Sequence, residues 1–199
     1  MPVISDLIFL RHSLPVVDLA TPAREWHLSK EGQRRCRLLA ARLGGYQPHR
    51  IVSSLEPKAM ETAQIVAETL DMTYDCFEGL HEHLRSRIEH SSQEVFEASV
   101  RAFFEHPDRL VYGDETADQA HARISQAVKA TQEQYPGPSP LVIVSHGTVI
   151  SIFVARIYNI DPFPFWKSLT LPCMILLSAQ APKIVPYDAS HTYPFIPEP

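Results

Sequence analysis

The sequence predicts an α/β domain layered around a mostly parallel sheet. Apolar, β-branched runs at residues 3–10 and 141–144 have the length and composition of buried strands. Between such runs lie segments with helical apolar spacing, so strands and helices alternate. The chain has 199 residues, 45% of them apolar, which matches one domain with a core of ordinary size.

Residues 3–10 read as a buried strand, and residues 11–27, polar and carrying Pro15 and Pro22, as a loop. Residues 28–32 open a helix that Ser29 caps, with Leu38, Leu39 and Leu43 on one face and Cys36 nearby; Gly44 and Gly45 end it. Residues 50–53 form a short strand. Residues 57–70 are helical, with Ala59, Ala63, Val66, Ala67 and Leu70 at helical spacing, and residues 72–77 return as a strand. Residues 81–107 are less regular and rich in His, Glu and Arg, with a helical stretch near 93–104. They read as a small insert over the sheet edge, within a single domain of residues 1–199. Residues 116–135 form a helix with Ala120, Ile124, Ala127 and Val128 inward. After the break Pro136-Gly137-Pro138-Ser139-Pro140 come a buried strand at 141–145 and a helix at 148–158. Phe163-Pro164-Phe165-Trp166 fits core packing better than a partner surface. Residues 174–178 and 184–187 read as a terminal hairpin, and the end with Pro194, Pro197 and Pro199 as irregular.

Net charge is −5, which argues against a nucleic-acid surface. Cys36, Cys76 and Cys173 are odd in number and widely spaced, so they are neither a disulfide framework nor a zinc pattern; free thiols in a reducing compartment are expected. The first residues lack a basic region followed by an apolar stretch, and no run reaches the length of a membrane span. The expected location is the cytoplasm, with no membrane partner.

Two strands end in histidine: Leu10-Arg11-His12-Ser13 and Ser145-His146-Gly147. Ligands of open α/β sheets bind at the carboxyl ends of strands. Two imidazoles and a guanidinium meeting there suit a phosphate, because arginine offers a permanently charged fork and histidine works as nucleophile, acid or donor near neutral pH.

Leu10-Arg11-His12-Ser13 resembles the Arg-His-Gly signature of the histidine phosphatase superfamily, and further stretches agree in order. Residues 26–33 resemble its Leu-Thr/Ser-x-x-Gly-x-x-Gln helix start, and residues 53–63 its Ser-Ser-Pro-Leu-x-Arg-Ala-x-Gln-Thr-Ala segment. Leu80-His81-Glu82 resembles its Leu-x-Glu element, Gly113-Asp114-Glu115-Thr116 with Arg123 its Gly-Glu-Ser helix start, and Ser145-His146-Gly147 its second histidine. The resemblance covers residues 4–150 and implies a three-layer α/β/α sandwich with a mostly parallel central sheet, the phosphoglycerate mutase-like fold.

It also implies roles. His12 attacks phosphorus and carries the phosphoryl group, which splits one hard displacement into two easier ones. Arg11 and His146 hold the phosphate oxygens, the Gly147 N–H at the start of the next helix adds a donor, and the Thr148 hydroxyl either donates to phosphate or caps that helix. Lys58 stands where the family has arginine; it keeps the charge without the fork, and an arginine there is expected to leave turnover equal or higher. Glu82 is the candidate proton donor, with Glu78 and Glu89 as weaker substitutes. Ser13 replaces a glycine, and Asp18 stands where an asparagine often donates to phosphate. His81, Glu82, His83 and His90 lack a metal-ligand pattern, so no metal and no cofactor is expected.

The expected function is therefore a metal-independent phosphatase acting on phosphate monoesters. The alternatives are a phosphoglycerate mutase-like phosphotransferase, which is usually longer, and a catalytically weakened phosphate-binding or regulatory protein. Substrate contacts are expected from residues 14–26 and 81–107, with Arg85, Arg87, His83 and Trp26 as candidates. The expected partner is a small phosphorylated metabolite or a phosphoprotein, and the protein a monomer or homodimer.

Overall fold

A computed structural model describes residues 7–85 and 92–188. Six strands, β1 (Leu7–Arg11), β2 (Arg50–Ser53), β3 (Tyr74–Cys76), β4 (Leu141–Ser145), β5 (Cys173–Leu176) and β6 (Lys183–Pro186), form one sheet in the order β3-β2-β4-β1-β5-β6. The first four pair in parallel; β5 runs antiparallel to β1, and β6 to β5. The α-helices of the described residues are α1 (Lys30–Leu43), α2 (Pro57–Thr69), α3 (Gln93–Glu105), α4 (Ala117–Gln134), α5 (Gly147–Tyr158) and α6 (Pro162–Ser168).

The alternation of side chains along each strand divides the core into two layers. Ile8 and Leu10 of β1 pack with Val142, Val144 and the inner faces of α1 and α2. Leu7 and Phe9 point the other way, with Ile143, into the layer built by α3 to α6. The three-layer sandwich of the sequence reading is thus present. Helix α5 is buried through residues 147–155, which explains why its sequence is apolar on every side.

The chain leaves β1 toward the α1–α2 layer and leaves β4 toward the opposite layer, although the two strands are neighbours. That divergence opens a crevice at their carboxyl ends, the usual place for a ligand in such sheets.

Local chemistry sets the ends of the helices. Ser29 Oγ accepts from the Gly32 N–H at 3.0 Å and so caps α1. Gly32 itself is fixed by close approach, because a Cβ there would lie 2.1 Å from the Leu14 carbonyl oxygen. Thr116 and Gln119 form a reciprocal capping box on α4.

Several boundaries differ from the sequence reading. The first strand is described from Leu7, and residues 3–6 lie outside the described residues. Leu38 is exposed, while Gly32, Cys36, Leu39, Ala40 and Leu43 make the buried stripe of α1; Leu38 sits about 100° away from Leu39 around a 3.6-residue turn. Gly44 stays right-handed and continues into a 3-10 turn to Tyr46, and the left-handed residue is Gln47 instead. Helix α6 was not expected; Asp161 caps it and Pro162 opens it, a signal that the apolar residues after it obscure. Its Phe163, Phe165 and Trp166 are buried, so that segment is core. Among the described residues no helix is long and apolar enough to cross a membrane.

Candidate active site

Arg11 at the end of β1 pairs with Ser145 at the end of β4, so the two following residues leave the sheet side by side. These are His12 and His146, with ring centroids 5.1 Å apart. The His12 N–H donates to the Ser145 carbonyl at 3.0 Å and extends the ladder by one bond.

His12 is 7% exposed. Its Nδ1 lies 2.8 Å from the Ser13 carbonyl oxygen, which can only accept. Nδ1 therefore carries the ring proton, and Nε2 keeps its lone pair. Burial, then the charges of His146, Lys58 and Arg11, push the His12 pKa well below the usual histidine value. The ring is neutral near pH 7, the form that attacks.

His146 is fully buried. Its Nε2 is 2.9 Å from Ser54 Oγ, and its Nδ1 is buried without a hydrogen-bond partner. Burial first, then Lys58, pushes its pKa well below the usual value too. Arg11 donates from Nη1 to the Leu169 carbonyl at 2.5 Å, while its buried Nε has no partner. The guanidinium lies against Gly147, where a Cβ would stand 3.0 Å from Nε. Buried polar atoms are nearly always paired. Two exceptions beside a neutral, lone-pair-bearing imidazole make a site for an oxygen-rich anion.

Glu82 reaches this site from the loop after β3. Its carboxylate accepts from the Thr148 and Val149 N–H groups at 3.2 Å and from the His83 N–H at 2.9 Å. Burial raises its pKa, but His146, Arg85 and the His83 N–H outweigh that and leave it at about 2. The Thr148 N–H is thus given to Glu82. The loop is fixed from below by Arg123, which donates to the Gly79 and His81 carbonyls at 2.9 and 2.8 Å and to the Glu82 carbonyl at 3.2 Å. Arg123 is itself paired with the buried Glu115 at 2.5 Å.

Lys58 lies in the first turn of α2 and is buried. Its Nζ is bound by Glu56 Oε2 and by the Ala23 carbonyl, the latter at 2.7 Å. Glu56 is the residue that the sequence reading missed. Its other oxygen accepts the Glu82 N–H at 2.8 Å and lies 3.6 Å from His146 Nε2. An acidic residue just before a helix reads as an ordinary dipole partner, so nothing in the sequence marked it.

Ser13 is structural. Its backbone N–H donates to Thr62 Oγ1 at 3.0 Å and its hydroxyl to the Gly32 carbonyl at 2.7 Å. It is not among the residues with positive φ, so the missing glycine costs no strain. Asp18 is exposed and accepts from the Ala20 N–H at 2.9 Å in a local turn. Arg85 donates to Tyr112 Oη at 2.9 Å and lies over the Phe96 ring; its charge is felt by Glu82. Trp26 is tied to the Asp18 carbonyl at 2.9 Å and lines a cavity of about 590 Å³ with Val16, Asp18, Glu25, His27 and Pro57. Arg87, Glu89 and His90 fall outside the described residues. His83 stacks on Phe103 at 4.0 Å, and among the described residues no cluster of His, Cys, Asp and Glu is arranged to hold a metal ion.

The family model of the histidine phosphatase superfamily (branch 1) matches residues 7–179. No curated protein sequence matches the chain. Among solved structures, a mycobacterial glucosyl-3-phosphoglycerate phosphatase is similar at 22% identity and TM-score 0.65, over 85% of this chain and 87% of that one. A phosphoserine phosphatase from Entamoeba histolytica is similar at 19% identity and TM-score 0.67, over 89% and 93%. The Bacillus stearothermophilus protein YhfR is similar at 20% identity and TM-score 0.67, over 93% and 98%.

Proposed function

The chain belongs to the histidine phosphatase superfamily, branch 1, and from that premise we propose that it hydrolyses small phosphate monoesters through a phosphohistidine on His12. The observation that carries this reading is the pair of unpartnered buried nitrogens, Arg11 Nε and His146 Nδ1, beside the neutral His12.

In the first step His12 Nε2 attacks phosphorus, and the bond from phosphorus to the ester oxygen breaks. Arg11, His146 and Lys58 surround the non-bridging oxygens, where charge is held through the in-line transition state. The leaving alkoxide takes a proton from Glu82. That carboxyl is ionised in the free protein, but a phosphate dianion beside it disfavours its charge and lets it hold a proton in the complex. In the second step water attacks phosphorus, the P–N bond breaks, and Glu82 takes the proton back.

His12 is only 7% exposed, which favours a small ester over a folded phosphoprotein. Two of the similar structures are phosphatases named for glucosyl-3-phosphoglycerate and phosphoserine, and both names fit a small metabolite. Residues 81–107 and the 14–26 loop are the proposed source of leaving-group contacts; the first contributes α3 and Arg85, the second the cavity beside Pro57. Free thiols at Cys36, Cys76 and Cys173 favour a reducing compartment, so the cytoplasm is the proposed location.

The test is phosphate release from a panel of monoesters, with chelator present, for the parent and His12→Ala. Chelator-resistant release by the parent alone is expected. Equal release by His12→Ala would overturn the assignment.

A further inference from the structure

We propose that Glu56 is a positioning residue of this site, which fixes Lys58 for phosphate and serves as the counter-charge that lets His146 hold a second proton when phosphate is bound. The inference rests on the phosphatase reading. One buried carboxylate touches three members of the candidate site. Oε2 binds Lys58 Nζ; Oε1 accepts the Glu82 N–H at 2.8 Å and stands 3.6 Å from His146 Nε2.

Lysine is a point charge on a flexible stem. Glu56 on one side and the Ala23 carbonyl on the other leave its ammonium one place to be. The pair Glu56–Lys58 thus does with two residues part of what a forked arginine does with one.

The second role follows from the ring geometry of His146. Phosphate oxygens are expected at Nδ1, which has no partner in the chain. Any second proton must then sit on Nε2, which faces Ser54 Oγ at 2.9 Å and Glu56 Oε1. Serine accepts that proton without a charge; Glu56 supplies one. The remaining ionisable neighbours of His146 are Arg11 at the end of β1 and His12 just after it, Lys58 from α2, Arg123 from α4, and His81 and Glu82 from the loop after β3. The cations Lys58 and Arg123 oppose protonation, and Glu82 and Glu56 support it.

The experiment is NMR titration of the His146 ring in protein saturated with inorganic phosphate, for the parent, Glu56→Gln, Lys58→Met and Glu56→Asp. Charges within about 4–6 Å move a pKa by roughly one unit or more. Glu56→Gln is expected to lower the His146 pKa by about that much, and Lys58→Met to raise it. Glu56→Asp keeps the charge and is expected to leave the titration near the parent's. A residue that only supported the fold would move both neutralising variants in the same direction. Lys58→Met tests the sign independently should Glu56→Gln fail to fold. No phosphate-dependent change at His146 in the parent would overturn the phosphatase reading and this inference with it. A phosphate-dependent change in the parent, with His146 unmoved or raised in Glu56→Gln, would overturn this inference alone.

Discussion

Replacing Gly147 with alanine separates catalysis from stability. A Cβ at residue 147 would lie 3.0 Å from Arg11 Nε, 3.1 Å from Cζ and 3.2 Å from Nη2, against an ordinary contact that begins at 3.4 Å. The guanidinium must therefore retreat by about 0.4 Å, and it cannot swing freely because Nη1 is held by the Leu169 carbonyl. If a 1 Å misplacement of a catalytic group costs about a hundredfold, 0.4 Å costs about sixfold, or ~1.1 kcal/mol of transition-state stabilisation. Gly147 lacks a positive φ and opens α5, so alanine brings no backbone strain there and favours the helix slightly. Steady-state kinetics on a phosphate monoester should show kcat/KM about sixfold lower, with a melting temperature unchanged or higher. Unchanged kcat/KM in a folded variant would refute the placement of Arg11. A loss of activity matched by a loss of stability would refute the reasoning that separates the two.

Gly113 has φ +81, and a Cβ there would lie 2.4 Å from the Leu84 carbonyl oxygen and 2.6 Å from His83 Nε2. Gly113→Ala should cost about 2 kcal/mol or more in denaturant unfolding. His12 and His146 both have folded pKa values well below the unfolded value near 6.5, so the unfolded chain binds protons that the folded chain refuses. Their stabilisation is complete above about pH 6.5 and falls by about 1.4 kcal/mol per pH unit per histidine as pH drops toward the folded values; Glu82, held at about 2, adds a loss that begins only below its ordinary value of 4.5. Unfolding free energies that stay flat between pH 7 and 5.5 would contradict this. Lys58→Arg is expected to leave kcat/KM equal or higher, because a guanidinium keeps the charge beside Glu56 and adds a fork for phosphate oxygens; a loss of about tenfold would contradict the placement of Lys58 at phosphate.

The sequence revealed the parts of this protein governed by local pattern and short range. The strands that end in His12 and His146 stood out as apolar runs, and the cap at Ser29 lay where short-range hydrogen bonding requires it. The placement of the two histidines at adjacent strand ends was legible because parallel sheets gather such ends at one edge. Contacts between distant segments were not legible. Leu169 as the anchor of Arg11, 158 residues away, leaves no periodic trace. Nor does Glu56, whose oxygens reach the loop after β3 and the start of α5 at once. Helix α6 was hidden because its buried aromatic residues follow no amphipathic stripe. Leu38 was misplaced because three leucines in six residues cannot all face one way.

The most direct test of the central claim is to trap the covalent intermediate. Parent protein and His12→Ala are mixed with a phosphate monoester, quenched rapidly into base, and mapped by mass spectrometry. A base-stable, acid-labile phosphoryl group on His12, forming and decaying faster than turnover and absent from the variant, is the predicted result. Turnover by the parent with no phosphoryl group on His12, or turnover retained by His12→Ala, would contradict the account.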